Sequence, residues 1–344
     1  MVRVSRWGAI LSLCLLGAGV ALTWQLAMRW YHTPLATLSQ PTVIELASGE
    51  SLSKLAARLA TQGVISHPRW WVAIARLEHK AAHVRAGEYV LVPGTSPAGV
   101  LDQLVEGRVW LHPVTLVEGW SFATARAALE ANPLLKHVGM GLSDDALMAR
   151  LGLGGLKPEG QFFPDTYRVA RGTTDLELWT LAHSHLQSEL TRIWQSRQPN
   201  LPLANPYEAL ILASLIEKET AQVDERPRIA AVFINRLRKG MRLQTDPTVI
   251  YGLGQAYQGT LHRVDLTTDT AYNTYTRMGL PPTPIALPGA AALQAAVQPA
   301  DSAALYFVAS GQGDGRHVFS GSLLEHNKAV QHYLHARRAL EASP

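Results

Sequence analysis

Cysteine is almost absent from this chain of 344 residues, in which Cys14 is the single example. One thiol cannot form an internal disulfide, and it cannot build a metal site from several thiolates. The chain beyond Cys14 is free of thiols, which is compatible with an oxidising compartment. Charged residues are also few, at 17% against 47% hydrophobic, a balance that fits a folded protein with a membrane segment.

Several catalytic signatures are missing as well. There is no H-E-x-x-H motif and the 13 histidines are dispersed, so we expect no metal site and no other cofactor. The G-x-S-x-G motif of serine hydrolases is absent, and Gly252-Leu253-Gly254 is too short to indicate a phosphate-binding loop. The net charge is only +4, and the basic residues are scattered without a motif for binding DNA or RNA. We therefore expect no nucleic acid partner.

The N-terminal segment is long, apolar and uncharged. Gly8 to Met28 contains no charged side chain, and as a helix these residues would span about 30 Å, enough to cross a bilayer. Arg3 and Arg6 precede the segment and predict a cytoplasmic N-terminus, while Trp24 suits the membrane interface. The sequence therefore predicts an uncleaved membrane anchor, with a cleaved signal peptide as the alternative.

The most informative segment is an apolar run that ends in two glutamates. Residues 210–216 are almost entirely apolar and predict a buried helix, which Glu217 and Glu219 follow. Glu219 shares a helical face with Leu212 and Ile216, so it continues the apolar stripe. Desolvation on such a face raises the pKa of a carboxyl group, as a general acid at neutral pH requires.

Glu217 and Glu219 do not form an acid and nucleophile pair in this interpretation. Side chains two residues apart on a helix diverge by roughly 200°, so we expect the two carboxylates not to line one cleft. Glu217 is predicted to make a supporting ion pair or hydrogen bond. The alternative is that both glutamates merely end a helix near the surface.

The motif S-L-I-E-K-E-T and further segments together resemble the membrane-bound endolytic murein transglycosylases of the YceG-like family. The resemblance covers most of residues 40–340, and the matching segments follow one another in the same order as in that family. The further segments that carry it are Leu116–Phe122, Pro158–Tyr167, Val232–Gly254, Ala271–Gly289, Leu305–Gly311 and His317–Leu334. The resemblance implies that the second glutamate of E-K-E-T, which is Glu219 here, is catalytic.

The activity that this resemblance implies is cleavage of peptidoglycan glycan strands by a lytic transglycosylase. Glu219 would protonate the oxygen between N-acetylmuramic acid and N-acetylglucosamine, and its carboxylate would then accept the proton of the C6 hydroxyl that attacks C1. The product would be a 1,6-anhydromuramoyl end, so that no second carboxylate is needed. Endolytic action in cell-wall biogenesis and work beside peptidoglycan synthases are further implications. The alternative is a non-catalytic, membrane-tethered scaffold that binds peptidoglycan.

Polar and aromatic side chains in the segments around the glutamates are candidates for binding the sugar and stabilising an oxocarbenium-like transition state. The candidates are Thr220, Gln244, Asp246, Tyr272, Asn273 and Tyr275. Structural alternatives stay open, since Thr220 and Asp246 can cap helices and Asn273 can hold a turn. Glu159 and Asp165 either border the groove or serve as turn residues.

The predicted fold class is α+β, with a single N-terminal transmembrane helix, a small module and a mixed α+β catalytic domain. The module has strand, helix, helix and strand signals in that order and resembles a LysM-like fold, which often binds N-acetylglucosamine-containing glycans. Its aromatic residues could stack on sugars or pack in a core: Trp70, Trp71 and Tyr89. The catalytic region would lie outside the plasma (inner) membrane, in the periplasm.

The chain is thereby divided into six predicted segments. They are a cytoplasmic tail (1–6), a transmembrane helix (7–28) that contacts the lipid bilayer, a polar tether (29–41), the LysM-like module (42–107), a connecting and substrate-groove region (108–205) and the catalytic domain (206–344).

Overall fold

The computed structural model describes residues 6–341, so the predicted cytoplasmic tail lies almost entirely outside the described residues. The described chain is of mixed α+β class, as predicted, and it divides into two compact units. The first unit consists of the residues up to 112 together with 168–171, and the second contains 113–167 and the residues from 172 onward.

The first unit begins with a long helix and continues with a strand, two helices, a strand and a helix. These elements are α1 (Arg6–His32), β1 (Thr42–Leu46), α2 (Leu52–Thr61), α3 (Pro68–Leu77), β2 (Gly87–Leu91) and α4 (Pro97–Glu106). β1 and β2 pair antiparallel, with Thr42 opposite Leu91. Ser51 and Ser96 cap α2 and α4 by accepting backbone hydrogen bonds.

One stretch of α1, Ile10–His32, is long and apolar enough to cross a membrane. The predicted tether starts inside this helix, because α1 continues to His32. Its later residues are not free either, since Leu35 and Leu38 are buried in the core of the first unit. The prediction of a polar tether over 29–41 is corrected accordingly: apolar side chains within it are covered by the module.

Two of the three aromatic residues proposed as sugar platforms are core residues. Trp71 is fully buried and donates from Nε1 to the Pro97 carbonyl at 2.8 Å. Tyr89 is also fully buried, and its hydroxyl donates to the Arg85 carbonyl at 2.6 Å. Trp70 stays partly exposed at the edge of this core.

The second unit is mainly helical. The remaining elements are β3 (Leu111–Thr115), α5 (Phe122–Glu130), α6 (Asp144–Arg150), β4 (Thr166–Ala170), α7 (Asp175–Gln195), α8 (Pro206–Glu219), α9 (Arg226–Arg238), α10 (Asp246–Leu253), α11 (Arg263–Thr267), α12 (Ala290–Val297), β5 (Tyr306–Ala309), β6 (His317–Ser320) and α13 (Leu323–Glu341). β3 pairs with β4, and the residues of these two strands are divided between the two units. β5 and β6 form an antiparallel hairpin that is joined by a glycine-rich turn.

The central element of this unit is α8, the buried helix that the apolar run predicts. Its residues from Ala209 to Ile216 are buried and pack mainly against α12, α9 and α7. Asn205 caps its start by accepting from the Glu208 N–H. The helix ends at Glu219 because Thr220 has an extended backbone, with φ −147° and ψ 137°. A carboxyl group is thus held at the end of a helix whose preceding two turns are buried.

Candidate active site

Glu219 is half-buried, and its environment raises the pKa of its carboxyl group so that the neutral and the charged form are both populated near pH 7. Burial raises the pKa of Glu219 to about 7, and the charge of Asp246 acts in the same direction. The Thr245 hydroxyl donates a hydrogen bond to Oε1 of Glu219 and opposes this rise, because it stabilises the carboxylate. A carboxyl group with a pKa near 7 can both give and take a proton at neutral pH.

A cavity of 470 Å³ opens beside Glu219. Three of the predicted substrate-binding residues line it, namely Gln244, Asp246 and Tyr275. The Tyr275 hydroxyl donates to Oδ1 of Asp246 at 2.6 Å, which fixes both side chains in the wall. The structure therefore brings these three residues together with Glu219, which lies 25 residues or more before them in the chain.

Gln244 has an unusual backbone that is held by Arg236. Its φ of 51° lies in the left-handed region, which costs a non-glycine residue about 1–3 kcal/mol. Arg236 is buried, and its guanidinium donates to Oε1 of Gln244 at 3.2 Å and to the Leu243 carbonyl at 3.0 Å. Strain at this position persists because Arg236 determines both the loop and the orientation of the amide.

Residues from the C-terminal part of the chain complete the wall of this cavity. His326 of α13 stacks on Tyr306 of β5, with ring centroids 5.1 Å apart and planes at 22°. Burial, with a smaller contribution from Arg236, lowers the pKa of His326, so its ring is neutral at pH 7. Asn327 also lines the cavity.

These wall residues were not predicted from the sequence. His326 and Asn327 lie in a segment of the family resemblance, His317–Leu334, which was the available signal for them. Thr245 stands directly between Gln244 and Asp246. A threonine directly before a helix is ordinarily a cap residue, so its type and position do not indicate contact with a distant carboxyl group. In the structure its side chain does not cap α10 and instead contacts Glu219.

A second cavity, of 540 Å³, lies on another side of Glu219. Glu118, Trp120, Lys218 and Thr220 line it together with Glu219. The catalytic candidate therefore borders two cavities, one with the predicted polar residues and one with an exposed carboxylate, a lysine and an indole ring.

Glu217 supports the site structurally. Its carboxylate accepts from the Arg226 guanidinium at 2.7 Å and from the Gly289 N–H at 3.0 Å, and both charged side chains are buried. Burial raises the pKa of Glu217. Glu217 also borders the second cavity, so the expectation that Glu217 and Glu219 would not line one cleft is wrong. The cavity surrounds the end of α8, where side chains on different faces of the helix reach the same space.

Tyr272 and Asn273 line neither of these two cavities. The Asn273 side chain is buried, and its Nδ2 donates to three carbonyls of its own loop, at 2.7 Å for Thr268. The Tyr272 hydroxyl is hydrogen-bonded to Thr283 at 2.9 Å. Their assignment as substrate-binding residues is corrected, because local backbone and side-chain partners occupy these polar groups.

Thr220 has a structural role and also lies beside the candidate site. It ends α8 as the C-cap residue and is buried, and its hydroxyl accepts from the Gln222 N–H at 2.9 Å. It also borders the second cavity next to Glu219. Thr220 therefore stabilises the end of α8, and its predicted contact with the substrate stays a prediction.

The two carboxylates of the Pro158–Tyr167 segment are structural. Glu159 is buried, accepts from the Phe122 N–H at 2.9 Å and from the Tyr251 hydroxyl at 3.1 Å, and has a pKa raised by burial to about 7. Asp165 accepts from the adjacent Thr166 N–H at 2.7 Å, as a turn residue does.

The arrangement is suited to chemistry with one proton-transfer group. Glu217 is held by Arg226, and Asp246 is held by Tyr275, so both carboxylates already have partners. Glu219 combines access to a cavity with a pKa near 7. Hydroxyl, amide and carboxylate groups around it are the types that bind sugar hydroxyls and developing positive charge.

The chain is similar to a known family over most of its length. It matches the YceG-like family over residues 44–332. It is 32% identical over 322 residues to a protein of Bacillus subtilis (strain 168) named endolytic murein transglycosylase, and the match covers 88% of each chain. A protein of the same name from Streptococcus pneumoniae (strain D39) is 30% identical over 183 residues, which are 52% of this chain and 33% of that protein.

A solved structure supports the same relationship. The crystal structure of a yceG-like protein from Listeria monocytogenes is 28% identical and superposes with a TM-score of 0.50. The match covers 84% of this chain and 99% of the other.

Proposed function

This chain belongs to the YceG-like family, and we propose that it is a membrane-anchored lytic murein transglycosylase with Glu219 as its catalytic acid and base. The observation that carries the assignment of Glu219 is a half-buried carboxyl group with a pKa of about 7 at the border of two cavities. The relative from Bacillus subtilis with 88% coverage of both chains carries the name of this activity.

The proposed reaction uses one carboxyl group for two successive proton transfers. Neutral Glu219 protonates the glycosidic oxygen between N-acetylmuramic acid and N-acetylglucosamine, and the bond from C1 to this oxygen breaks. The C6 hydroxyl of the same muramic acid attacks C1 and passes its proton to the Glu219 carboxylate. The product is a 1,6-anhydromuramoyl end, and Glu219 is again protonated. A pKa near 7 serves both steps, because neither protonation state is strongly disfavoured.

The polar wall of the first cavity would bind the sugar that develops positive charge. The Asp246 carboxylate is oriented by Tyr275 and the Gln244 amide is oriented by Arg236. Oriented dipoles and charges of this kind stabilise an oxocarbenium-like transition state without reorganising during the reaction. Thr220 would contribute through the second cavity, beside Glu219.

The proposed endolytic mode rests on the names of the relatives, and the two cavities that Glu219 borders are compatible with it. A strand that is cut in its interior needs space for sugars on both sides of the broken bond. The first cavity provides it on one side, and the second cavity, with Trp120 and Glu118, provides it on the other. An indole ring and a carboxylate are common partners for a sugar face and its hydroxyls.

The proposed location is the plasma (inner) membrane, crossed once by α1, with the N-terminus cytoplasmic and the remainder extracytoplasmic. The support is the apolar stretch Ile10–His32 and the arginines before it. We propose that residues 42–107 form a LysM-like module, supported by the order β1, α2, α3, β2 and the antiparallel pairing of its strands. Peptidoglycan strands are the substrate, and peptidoglycan synthases are the proposed protein partners.

Digestion of purified sacculi by the full chain tests the activity. The wild type should release fragments with 1,6-anhydromuramoyl ends, detected by mass spectrometry, and Glu219→Gln should release none. Glu208→Gln is the matched control, since it makes the same chemical change at the other end of α8, about 16 Å away. Long products early in the digest support endolytic cleavage.

Two other outcomes would replace this proposal. Reducing ends in place of anhydro ends would mean that water is the nucleophile and that the protein is a hydrolase. Binding of wild-type protein to sacculi without any released fragment would favour the membrane-tethered scaffold.

A further inference from the structure

One face of α3 exposes apolar side chains beside the helix that can cross a membrane. Trp70, Ala73 and Leu77 follow one another at helical spacing, and Leu77 is 63% exposed. On the inner face of the same helix, Trp71 and Ile74 are buried in the core. α3 thus has apolar residues both toward the core and toward an open surface.

α3 crosses the end of α1 instead of running along it. Trp30 of α1 contacts His67 and Trp70 at the start of α3, with ring centroids 5.2 and 6.2 Å apart. The next residue of α1, Tyr31, donates from its hydroxyl to Oε2 of Glu78 at 3.0 Å, just past the end of α3. A ten-residue helix is about 15 Å long, so neighbouring residues of α1 reach both ends of α3 only if the helices cross.

An apolar groove of 500 Å³ lies between these two helices. α3 contributes Trp70 and Ala73, and α1 contributes residues between Leu16 and Ala27. This part of α1 covers about 16 Å along the helix axis and lies within the apolar stretch Ile10–His32. The exposed face of α3 is therefore turned toward the part of α1 that can lie inside a bilayer.

The charges on α3 fit a membrane surface. The helix contains no acidic residue, and its two charged side chains, Arg69 and Arg76, are both exposed. Tryptophan and histidine rings cluster at its start, where Trp30, His67 and Trp70 contact one another. Basic residues beside an apolar face and aromatic rings at its edge are typical of helices that lie in the interface of an anionic bilayer.

We propose that α3 is an interfacial helix that inserts its Trp70, Ala73 and Leu77 face into the outer leaflet of an anionic phospholipid bilayer. This inference rests on the proposed membrane anchoring by α1 and extends it from one helix to a second contact. Acyl chains of the outer leaflet fill the groove between α1 and α3, while Arg69 and Arg76 lie at the level of the lipid headgroups. The first unit is then held against the membrane surface in one orientation.

The single cysteine of the chain makes this orientation measurable. In a Cys14→Ser background, Leu77→Cys places one thiol on the proposed lipid-facing surface for labelling with nitrobenzoxadiazole. Val43→Cys is the matched control, because Val43 is also an exposed aliphatic residue, at 46%, and points away from the core side of β1, where Ile44 is buried. The full-length proteins are reconstituted in vesicles of phosphatidylethanolamine and phosphatidylglycerol and separated by flotation.

The label at position 77 should show blue-shifted emission and lose most of its intensity when doxyl-labelled phospholipid is included, while the label at 43 should change little. Equal quenching at 77 and 43, or a label at 77 that doxyl lipid does not quench, would overturn the proposal while leaving the anchor intact. Protein that fails to float with the vesicles would overturn the anchor and the inference together.

A charge variant adds a second readout. Arg69→Glu with Arg76→Glu should reduce quenching of the label at 77 in vesicles that contain phosphatidylglycerol, since like charges then face the headgroups. In pure phosphatidylcholine the same variant should differ less from the parent. Quenching that is unchanged in both lipids would overturn the role of the arginines, and Ala73→Cys gives an independent label on the same face.

Discussion

Replacing Thr245 by valine removes a hydroxyl that donates a hydrogen bond to Glu219. The pKa of Glu219 is the result of two opposing influences, because burial raises it to about 7 and this hydrogen bond lowers it. Valine has a similar shape and no donor, so the carboxylate form loses stabilisation and the neutral form does not. We therefore expect the pKa of Glu219 to rise further in Thr245→Val.

The size of the rise follows from the strength of the hydrogen bond. A hydrogen bond to a charged group contributes about 1.5–3 kcal/mol, and one pKa unit corresponds to about 1.4 kcal/mol. Glu219 is partly open to solvent, which can replace part of the lost interaction and favours the lower end of this range. We expect a shift of about one unit, from about 7 to about 8.

The pH dependence of kcat/KM on soluble glycan strands measures this shift. The free enzyme needs neutral Glu219, so activity falls above its pKa, and the alkaline limb of the profile reports that value. Thr245→Val should move this limb upward by about one unit, and Thr245→Ser should leave it near the wild-type position. An alkaline limb that stays in place or moves downward in Thr245→Val would refute the reasoning.

Three further predictions concern stability and positioning. Because burial raises the pKa of Glu219 from 4.5 to about 7, the folded state binds this proton more tightly, and stability falls as pH rises from about 4.5 to 7. A rise from 4.5 to about 7 corresponds to about 3.4 kcal/mol, and partial exposure of Glu219 to solvent reduces this, so Glu219→Gln should stabilise the protein by about 2 kcal/mol at pH 8 and leave it unchanged at pH 4 in urea unfolding. No gain at pH 8 would contradict this. Glu217→Gln removes the charged partner of buried Arg226 and should lower the free energy of unfolding by about 3 kcal/mol, whereas a loss below about 0.5 kcal/mol would mean that the pair is not buried. Arg236→Lys should lower kcat/KM by disordering Gln244 while leaving the alkaline limb in place, and a shifted limb would show that Arg236 acts on Glu219 directly.

The elements of the fold follow from local patterns in the sequence. The run before Glu217 predicts the burial of α8, because a helix that is apolar at nearly every position must be covered on most sides. Ser51 and Ser96 mark the starts of α2 and α4, and the glycine-rich turn between β5 and β6 marks a hairpin. Each of these signals lies within a few residues of the element that it specifies.

Residue type, helical spacing and family resemblance predict Glu219, Gln244, Asp246 and Tyr275 as site residues, and the structure brings these four side chains to one cavity. Asn273 was assigned to the substrate because its amide suits a sugar, but the carbonyls of its own loop bind that amide in the fold. The competition between local and substrate partners is decided by loop conformation, which residue type alone does not give.

Contacts between residues that are far apart in the chain explain why some wall residues of the first cavity were not predicted. Arg236 donates to the carbonyl oxygens of Leu243 and Leu305, and it lines the first cavity together with His326 of the last helix. Arg236 and His326 are 90 positions apart in the chain, so no local pattern connects them. The second cavity could likewise not be predicted from local patterns, because Trp120 and Lys218 line the same cavity only after the chain has folded around α8.

The central claim is that one carboxyl group, whose neutral and charged forms are similarly populated at pH 7, performs both proton transfers. Glutamate labelled with ¹³C at the side-chain carboxyl, followed by NMR between pH 3 and 9, measures this property directly in wild type and in Glu219→Gln. The resonance lost in Glu219→Gln should titrate near 7, and the resonance of Glu159, which also titrates near 7, should remain in the variant. A lost resonance that titrates near 4.5, the ordinary value for glutamate, would contradict it.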